Sequence, residues 1–465
     1  MSDSSDIDAP SLIHPLSKST RAQLWFGGSL VTAFLLTLII GNQLIPADKA
    51  VERNMLGHDF TAFYSAGHFA ATGQFDKLYD IEAVKNFEQE TGRRYGLSIG
   101  DSYGPYWNPP FYAWVFAPLS RLPYGRALLV WTLFNLCCFG GAIYLLCGML
   151  APPGYGLRSA GIPWRTWALV PLLLTFSMPV IQALSHGQNS MTSLLLLAAT
   201  VTLWRNDRGF YAGLVAGLLF YKPQLGAIVA VFLVLTLGSR ALLGLVVTGV
   251  VLLTITVLSM PGALQDFLVR LPLNVRFMQV DHAYVWERHA TIKAFWRLLL
   301  QGRGAGRSTL VVTALVWSTG LAVAAALCVA VHHYLRSWRS SEKLDRVIAA
   351  TIAAMPLLMP FYFDYDLMLL AIPAVLFSGE QLRFPGQTME RWAIRLGMVM
   401  YLWMFVSPGI AATTHVNGTI PLLVSVAVLL ISRAFQPMQI HEHVSLHSSR
   451  RNSSAVPLSP SQIAA

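Results

Sequence analysis

Four stretches of this chain contain no Asp, Glu, Lys or Arg: Leu24 to Pro46, Thr166 to Trp204, Thr309 to Val331 and Leu396 to Ser432. Roughly 20 apolar residues in a helix cross the ~30 Å hydrocarbon core of a bilayer. Inside that core the backbone has no water to bond to, and a helix satisfies its own N–H and C=O groups. The rest of the composition agrees, with 12% charged and 54% hydrophobic residues and a mean hydropathy of +0.52. A soluble domain carries about 25% charged residues. The expected fold class is therefore all-α, a polytopic transmembrane helical bundle, and a soluble domain is set aside.

Apolar runs lie near 24–45, 124–149, 166–184, 190–204, 209–237, 241–260, 309–335, 346–360, 367–378, 392–407 and 418–432. The run 209–237 is interrupted by "YKPQ" at 221–224, where a proline predicts two half-helices. This gives about 10–12 helices in one transmembrane domain, 24–432. The segment "NPPFYAWVFAPL" at 108–119 reads as a short or re-entrant element. Residues 1–20 (Ser/Asp-rich) and 436–465 (Ser/His-rich) read as disordered tails. The first apolar run spans by itself and lacks a clean small-x-small cleavage site, so it reads as an uncleaved helix.

The net charge of +10 does not point to nucleic acid. Basic residues gather in cytoplasmic loops for topological reasons, and they cluster here near Arg158/Arg165, Arg205/Arg208, Arg240, Arg336 to Arg346 and Arg383 to Arg395. The opposing loops 185–189 and 408–418 contain no Lys or Arg. That asymmetry places both tails in the cytoplasm and two long loops, about 46–123 and 261–308, outside. Cys137, Cys138, Cys147 and Cys328 all fall in apolar runs and read as small core residues. No HExxH or CxxC pattern occurs, and neither metal nor cofactor is expected.

Four polar features converge on the outer side: Asp59 in "HDFTAFYSAG", "SHGQNS" at 185–190 with Gln188 and Asn189, Lys222 with Gln224 at the helix break, and "FYFDYDL" at 361–367 with Asp364 and Asp366. A charge at membrane depth costs about 2.5–3.5 kcal/mol on insertion scales, so such residues are seldom idle. Each also has a plainer reading. Asp59 suits an interfacial helix cap, and "GQN" a tight turn. Lys222 suits a snorkelling or internally paired lysine, and the two later aspartates a solvated loop face. His58, His68 and His186 read as packing or hydrogen-bonding residues.

The motifs "HDFTAFYSAGHFAATGQFDKLYD", "WNPPFYAWVFAPLSRLP", "HGQNS" and "GLVAGLLFYKPQ", in that order, resemble family 87 of the glycosyltransferases. These are integral-membrane enzymes of the C-type glycosyltransferase superfamily, which includes polyprenyl-phosphate-mannose-dependent mannosyltransferases. The resemblance covers about residues 24–430. It implies a catalytic helical bundle of C-type architecture in the inner membrane, a polyprenyl-phosphate sugar donor and a lipid or glycan acceptor. It also implies that Asp59 is the general base in the first outer loop, and that Lys222-Pro223 matches the family's Lys-Pro pair. A histidine found in the later helices of some members has no clear match, and "FDYD" stands in that region.

The chemistry is consistent with those residue types. A sugar hydroxyl is a poor nucleophile, so a carboxylate must take its proton as the new C–O bond forms. The departing lipid phosphate gains negative charge, which a nearby cation stabilises. Lys222 can supply it, helped by the N-terminal dipole of the second half-helix, with Gln224 beside it. Arg288 is a further candidate, as are Arg270, Arg276, Arg303 and Arg307. Tyr64, Tyr103, Tyr106, Trp107 and Trp286 read either as sugar-stacking residues or as an interfacial aromatic belt. The rival class is a secondary transporter with a midplane site around Lys222.

Overall fold

The computed structural model describes residues 18–44, 57–97, 103–337, 340–384 and 388–436. The expected tails lie outside these residues, except for Lys18–Thr20, which open the first helix, and Gln436. The described chain is helical without a strand. One isolated antiparallel bridge joins His289 to Phe363.

Four of the described helices are long and apolar enough to cross a membrane: Tyr124–Met149, Ser239–Ser259, Leu310–Arg336 and Arg391–Thr414. A fifth span results if Trp164–Thr175 and Met178–His186, bent by 47°, count as one. This is fewer than the 10–12 expected from apolar runs. Several runs form helices too short to cross alone, namely Ser190–Arg205, Gly209–Tyr221, Pro223–Leu237 and Thr419–Ala434. Others carry charge into a helix end, as Ser341–Leu358 does with Glu342, Lys343, Asp345 and Arg346. The exterior turn expected over 408–418 is shorter than that, because the helix continues through Pro408 to Thr414. Cys138 and Cys147 are buried as expected, but Cys137 and Cys328 lie exposed on their helices.

The break in 209–237 is where the proline put it. Gly209–Leu218 tightens into the 3-10 turn Leu219–Tyr221, and Lys222 leaves helical geometry at φ −117° and ψ 82°. Pro223 then opens Pro223–Leu237, where its missing N–H costs nothing. Gly213 and Gly244 let this hairpin close against Ser239–Ser259. A Cβ on either would overlap a carbonyl of the other helix.

The described residues of 57–97 and 103–123 form a folded unit and not an open loop. Helices Phe60–Ala71, Ile81–Tyr95 and Pro110–Phe116 enclose an aromatic core of Phe60, Phe63, Tyr64, Tyr112, Phe116, Tyr124 and Trp131. Local signals set their limits. Asp80 caps Ile81–Tyr95 by accepting from Ala83 N at 3.0 Å, and Gly96 ends it in the left-handed conformation. Glycine at 67 lets Phe60–Ala71 press on the Phe116 backbone. The segment 261–308 likewise folds into Ala263–Arg276 and Ile292–Gln301.

The central layer is Ser190–Arg205, Ser341–Leu358, Ala371–Arg383 and Thr419–Ala434, packed through Leu194, Leu197, Ile348, Ala350, Leu369, Ile372 and Leu423. It fixes the chain segments 185–190 and 361–366 at one end of the bundle.

Candidate active site

Two turns meet at Asp59. Gly57 N donates to Ser185 O at 2.6 Å and Asp59 N to His186 O at 3.1 Å, so the backbones of 57–59 and 185–187 are tied together. Gly187 takes φ +69°, which a side chain would resist, and a Cβ there would meet Phe60. Trp131 Nε1 anchors the Gly187 carbonyl at 2.8 Å and Tyr124 the Gly57 carbonyl at 2.6 Å. The "GQN" segment is thus a tight turn that also works on the site, since Gln188 Nε2 donates to Asp59 Oδ2 at 2.7 Å.

Asp59 precedes Phe60–Ala71 but makes no capping bond with its side chain. It keeps 28% of its side-chain surface, with His58 Nδ1 at 3.6 Å. Burial acts to raise its pKa, but the His58 contact, the Gln188 bond and the charge of Arg288 together hold it below the ordinary carboxylate value. Asp59 is ionised at neutral pH.

The two later aspartates are not a solvated face. Asp364 and Asp366 are each 9% exposed, on the 3-10 turn Asp364–Leu370. Arg288 grips Asp364 with two bonds, Nε to Oδ2 at 3.0 Å and Nη2 to Oδ1 at 3.1 Å. Gln182 adds a third at 3.1 Å. His186 Nδ1 lies 2.9 Å from the Gln182 carbonyl, which can only accept, so that nitrogen carries the proton. Its Nε2 is then the acceptor for Arg288 Nη1 at 3.2 Å. Asp366 Oδ1 takes Lys222 Nζ at 2.7 Å and Ser190 Oγ at 2.5 Å. Between the two ion pairs sits the Tyr365 ring, its centroid 6.0 Å from Lys222 Nζ and 5.9 Å from the Arg288 guanidinium.

Of the residues read from sequence, Asp59, Gln188, Lys222, Arg288, Asp364 and Asp366 come together here. Asn189 is fully buried one residue away. Gln224 is half-buried in the turn after Lys222, and no hydrogen bond ties it to the cluster among the described residues. Tyr64 is not brought to the site. It is buried in the aromatic core, and its hydroxyl donates to Leu122 O at 2.9 Å. Tyr106 and Trp286 are buried as well. Arg270 is held by Asp80 and Asp266, and Arg303 by Glu287.

Four participants were missed as functional residues: Gln182, His186, Ser190 and Tyr365. Sequence signals existed for three of them: Tyr365 lies between two acids, and His186 and Ser190 belong to the polar segment 185–190. Behind the Arg288–Asp364 pair a crevice opens, lined by Gln182, His289, Ser407, Asn417 and Thr419. His289 is buried and its pKa is pushed down to about 3 by burial, with Arg288 and Lys293 adding to it, so it is neutral. Under the Asp59 turn, Glu88 is buried and accepts from Gly104 N at 2.8 Å. Its pKa is pushed up to about 8, chiefly by burial and further by the charge of Asp59.

Fold and site define a multi-pass, all-helical membrane protein with a polar, acid-rich centre at one end of its bundle. The sequence model of Glycosyltransferase family 87 matches residues 106–362, more than half the chain, and the protein belongs to that family. It is accordingly a membrane glycosyltransferase, with a sugar donor and an acceptor as its substrates, and the transporter reading is set aside. The matched stretch contains Gln188, Asn189, Lys222, Gln224 and Arg288, while Asp59, Asp364 and Asp366 lie outside it. Comparison with curated proteins and with solved structures gives no match.

Proposed function

We propose that the protein transfers a hexose, mannose being the first candidate, from a polyprenyl-phosphate donor to a lipid or glycan acceptor on the extracytoplasmic face of the inner membrane, with Asp59 as general base. One observation carries this reading. Of the three site carboxylates, Asp364 and Asp366 are each paired with a Lys or Arg, whereas Asp59 is ionised and partly exposed, and among the described residues Gln188 and His58 contact its carboxylate. A base needs that freedom.

In the reaction, the acceptor hydroxyl loses its proton to Asp59 while its oxygen bonds to the anomeric carbon of the sugar. The bond from that carbon to the phosphate oxygen breaks, and the polyprenyl phosphate leaves with the electron pair. Arg288 and Lys222 are the cations nearest that developing charge. A bound phosphate competes with Asp364 and Asp366 for them, so the aspartates hold the cations in place until donor arrives. Donor phosphate near Arg288 also offsets one of the charges that depress the Asp59 pKa, raising its basicity when it is needed.

The direct test is transfer of radiolabelled sugar from synthetic polyprenyl-phosphate donors in proteoliposomes. Activity with nucleotide sugars alone would overturn the donor assignment. The face is tested separately by replacing the four native cysteines and placing single ones at Gly73, Gln265 or Ser340. The first two should react with an impermeant maleimide on intact cells and the third should not. The reverse pattern would exclude an extracytoplasmic site.

A further inference from the structure

A second charged cluster lies at the far end of the bundle. Ser190–Arg205 begins beside Asp366 and ends at Arg205, 16 residues or about 24 Å away. There, Asp345 accepts from Arg205 at 2.6 and 2.9 Å, with Arg383 at 3.6 Å. Glu380 takes Arg346 at 2.6 Å and Arg433 at 3.0 Å. Each carboxylate thus serves two guanidiniums, and none of the six side chains is more than 6% exposed. Glu342, half-buried, acts on Arg383 at longer range. Even counting it, four arginines face three acids.

The surplus is localised. Arg205 also donates to Ala151 O, and Arg346 to Arg433 O. With the Gln381 amide turned so that its oxygen faces Arg433, that guanidinium is bonded at 2.8 and 2.9 Å. Arg383 differs. Its Nε, Nη1 and Nη2 are all buried, and none has a hydrogen-bond partner among the described residues. A buried guanidinium with every donor unused is strongly unfavourable unless an anion meets it.

Alongside runs a crevice with Arg346, Glu380 and Arg433 as polar groups and Leu376, Phe377 and Leu430 as apolar walls. Leu376, Glu380 and Arg383 follow at i, i+4 and i+7, so they share one face of Ala371–Arg383. A cation whose nearest carboxylate, Asp345 at 3.6 Å, is already hydrogen-bonded by Arg205, and an apolar wall on the same face, suit a phosphate that carries a hydrocarbon chain.

We propose that this end of the bundle binds a phosphate group, that of an anionic lipid, through Arg383, with the lipid chain along Leu376, Phe377 and Leu430. The site is distinct from the one at Asp59 and needs no chemistry there. Its occupant would meet the guanidinium of this cluster that makes no hydrogen bond among the described residues.

The test uses the full-length, delipidated protein in detergent. Thermal unfolding and native mass spectrometry are run with phosphatidylglycerol, with phosphatidylcholine and with inorganic phosphate. Phosphatidylglycerol should raise the unfolding temperature and be retained one per chain, with phosphatidylcholine doing less. In Arg383→Gln the affinity should fall at least about tenfold, the loss of a charge-assisted pair, while Arg383→Lys should retain part of it. Without lipid, Arg383→Gln should unfold no lower than the wild type, because it removes a buried guanidinium that makes no hydrogen bond and Asp345 keeps both bonds from Arg205. If inorganic phosphate alone reproduces the Arg383-dependent shift, the anion site stands and its source is a free phosphate. Should neither phosphate source shift unfolding, or should the shift be the same in Arg383→Gln and Arg383→Lys as in wild type, the proposal is overturned.

Discussion

At the Asp59 end three aspartates face Lys222 and Arg288. At the Arg205 end four arginines face Asp345, Glu380 and Glu342. The residue types are the same but the exposure differs. Lys222, Asp364 and Asp366 keep 12% of their side-chain surface, Arg288 20% and Asp59 28%. At the other end the four arginines, Asp345 and Glu380 keep 2–6%. An ion pair that still touches solvent can exchange its partner for a substrate phosphate. Sealed pairs that are already hydrogen-bonded, such as Arg205–Asp345, cannot do so without unfolding their surroundings, and their main effect is on stability. The acid surplus at one end suits a base, and the arginine surplus at the other suits an anion.

If this contrast is right, the largest single effect lies at the sealed end. Asp345→Asn strands Arg205 and Arg383 together and should cost about 3–5 kcal/mol, read as a lower unfolding temperature in detergent. Turnover per folded molecule should stay near wild type. A variant that unfolds normally but transfers poorly would break the division of roles.

Asp59→Asn should do the opposite. It keeps the shape and the Gln188 contact but removes the basicity, so turnover should fall at least about 10²-fold, with donor binding and unfolding temperature retained. Near-normal turnover would make Asp59 structural and move the base to Asp364 or Asp366.

Lys222→Met falls between the two. It leaves Asp366 with Ser190 and partial solvent, a loss of about 1–3 kcal/mol, together with weaker donor binding. Lys222→Arg should recover part of the binding. If neutralising Asp366 as well restores stability but not transfer, Lys222 works on the donor. Recovery of both would make the pair purely structural.

The smallest effect is a pH slope from Glu88. Its carboxyl titrates near 8 when folded, against an ordinary value of 4.5. An unfolded chain releases that proton around 4.5 and the folded one holds it to about 8, so the stabilisation is full below 4.5 and is lost as pH rises to 8. Glu88→Gln removes the slope. Comparing unfolding temperatures at pH 5 and pH 8.5, the variant should gain on the wild type at the higher pH. A pH-independent difference would mean that Glu88 is ionised throughout.

The membrane class, the helical fold, the break at Lys222-Pro223 and the positions of Asp59, Gln188, Lys222, Arg288, Asp364 and Asp366 were legible in the chain, because burial in lipid forbids charge except where it is used and proline cannot continue a helix. Helix count was not. An apolar run states that a segment is buried, but not whether lipid or other helices bury it, and the runs 190–204 and 346–360 turn out to lie in the packed central layer.

Pairing was invisible for a related reason. The acids nearest Lys222 along the chain are Asp207 before it and Asp266 after it, yet its partner Asp366 is 144 positions away, brought there by the packing of Ser190–Arg205 against the 361–370 segment. His186, Gln182 and Tyr365 became part of the site only through that approach. The same applies to the outer aromatics. Tyr64 reads as a sugar platform in sequence, but the close packing of Phe60–Ala71 on Pro110–Phe116 turned it into core. Sequence alone determined the medium this chain folds in and which residues are costly there. Tertiary structure decided which of those residues meet, because a contact between distant charges depends on helix packing, which no local pattern records.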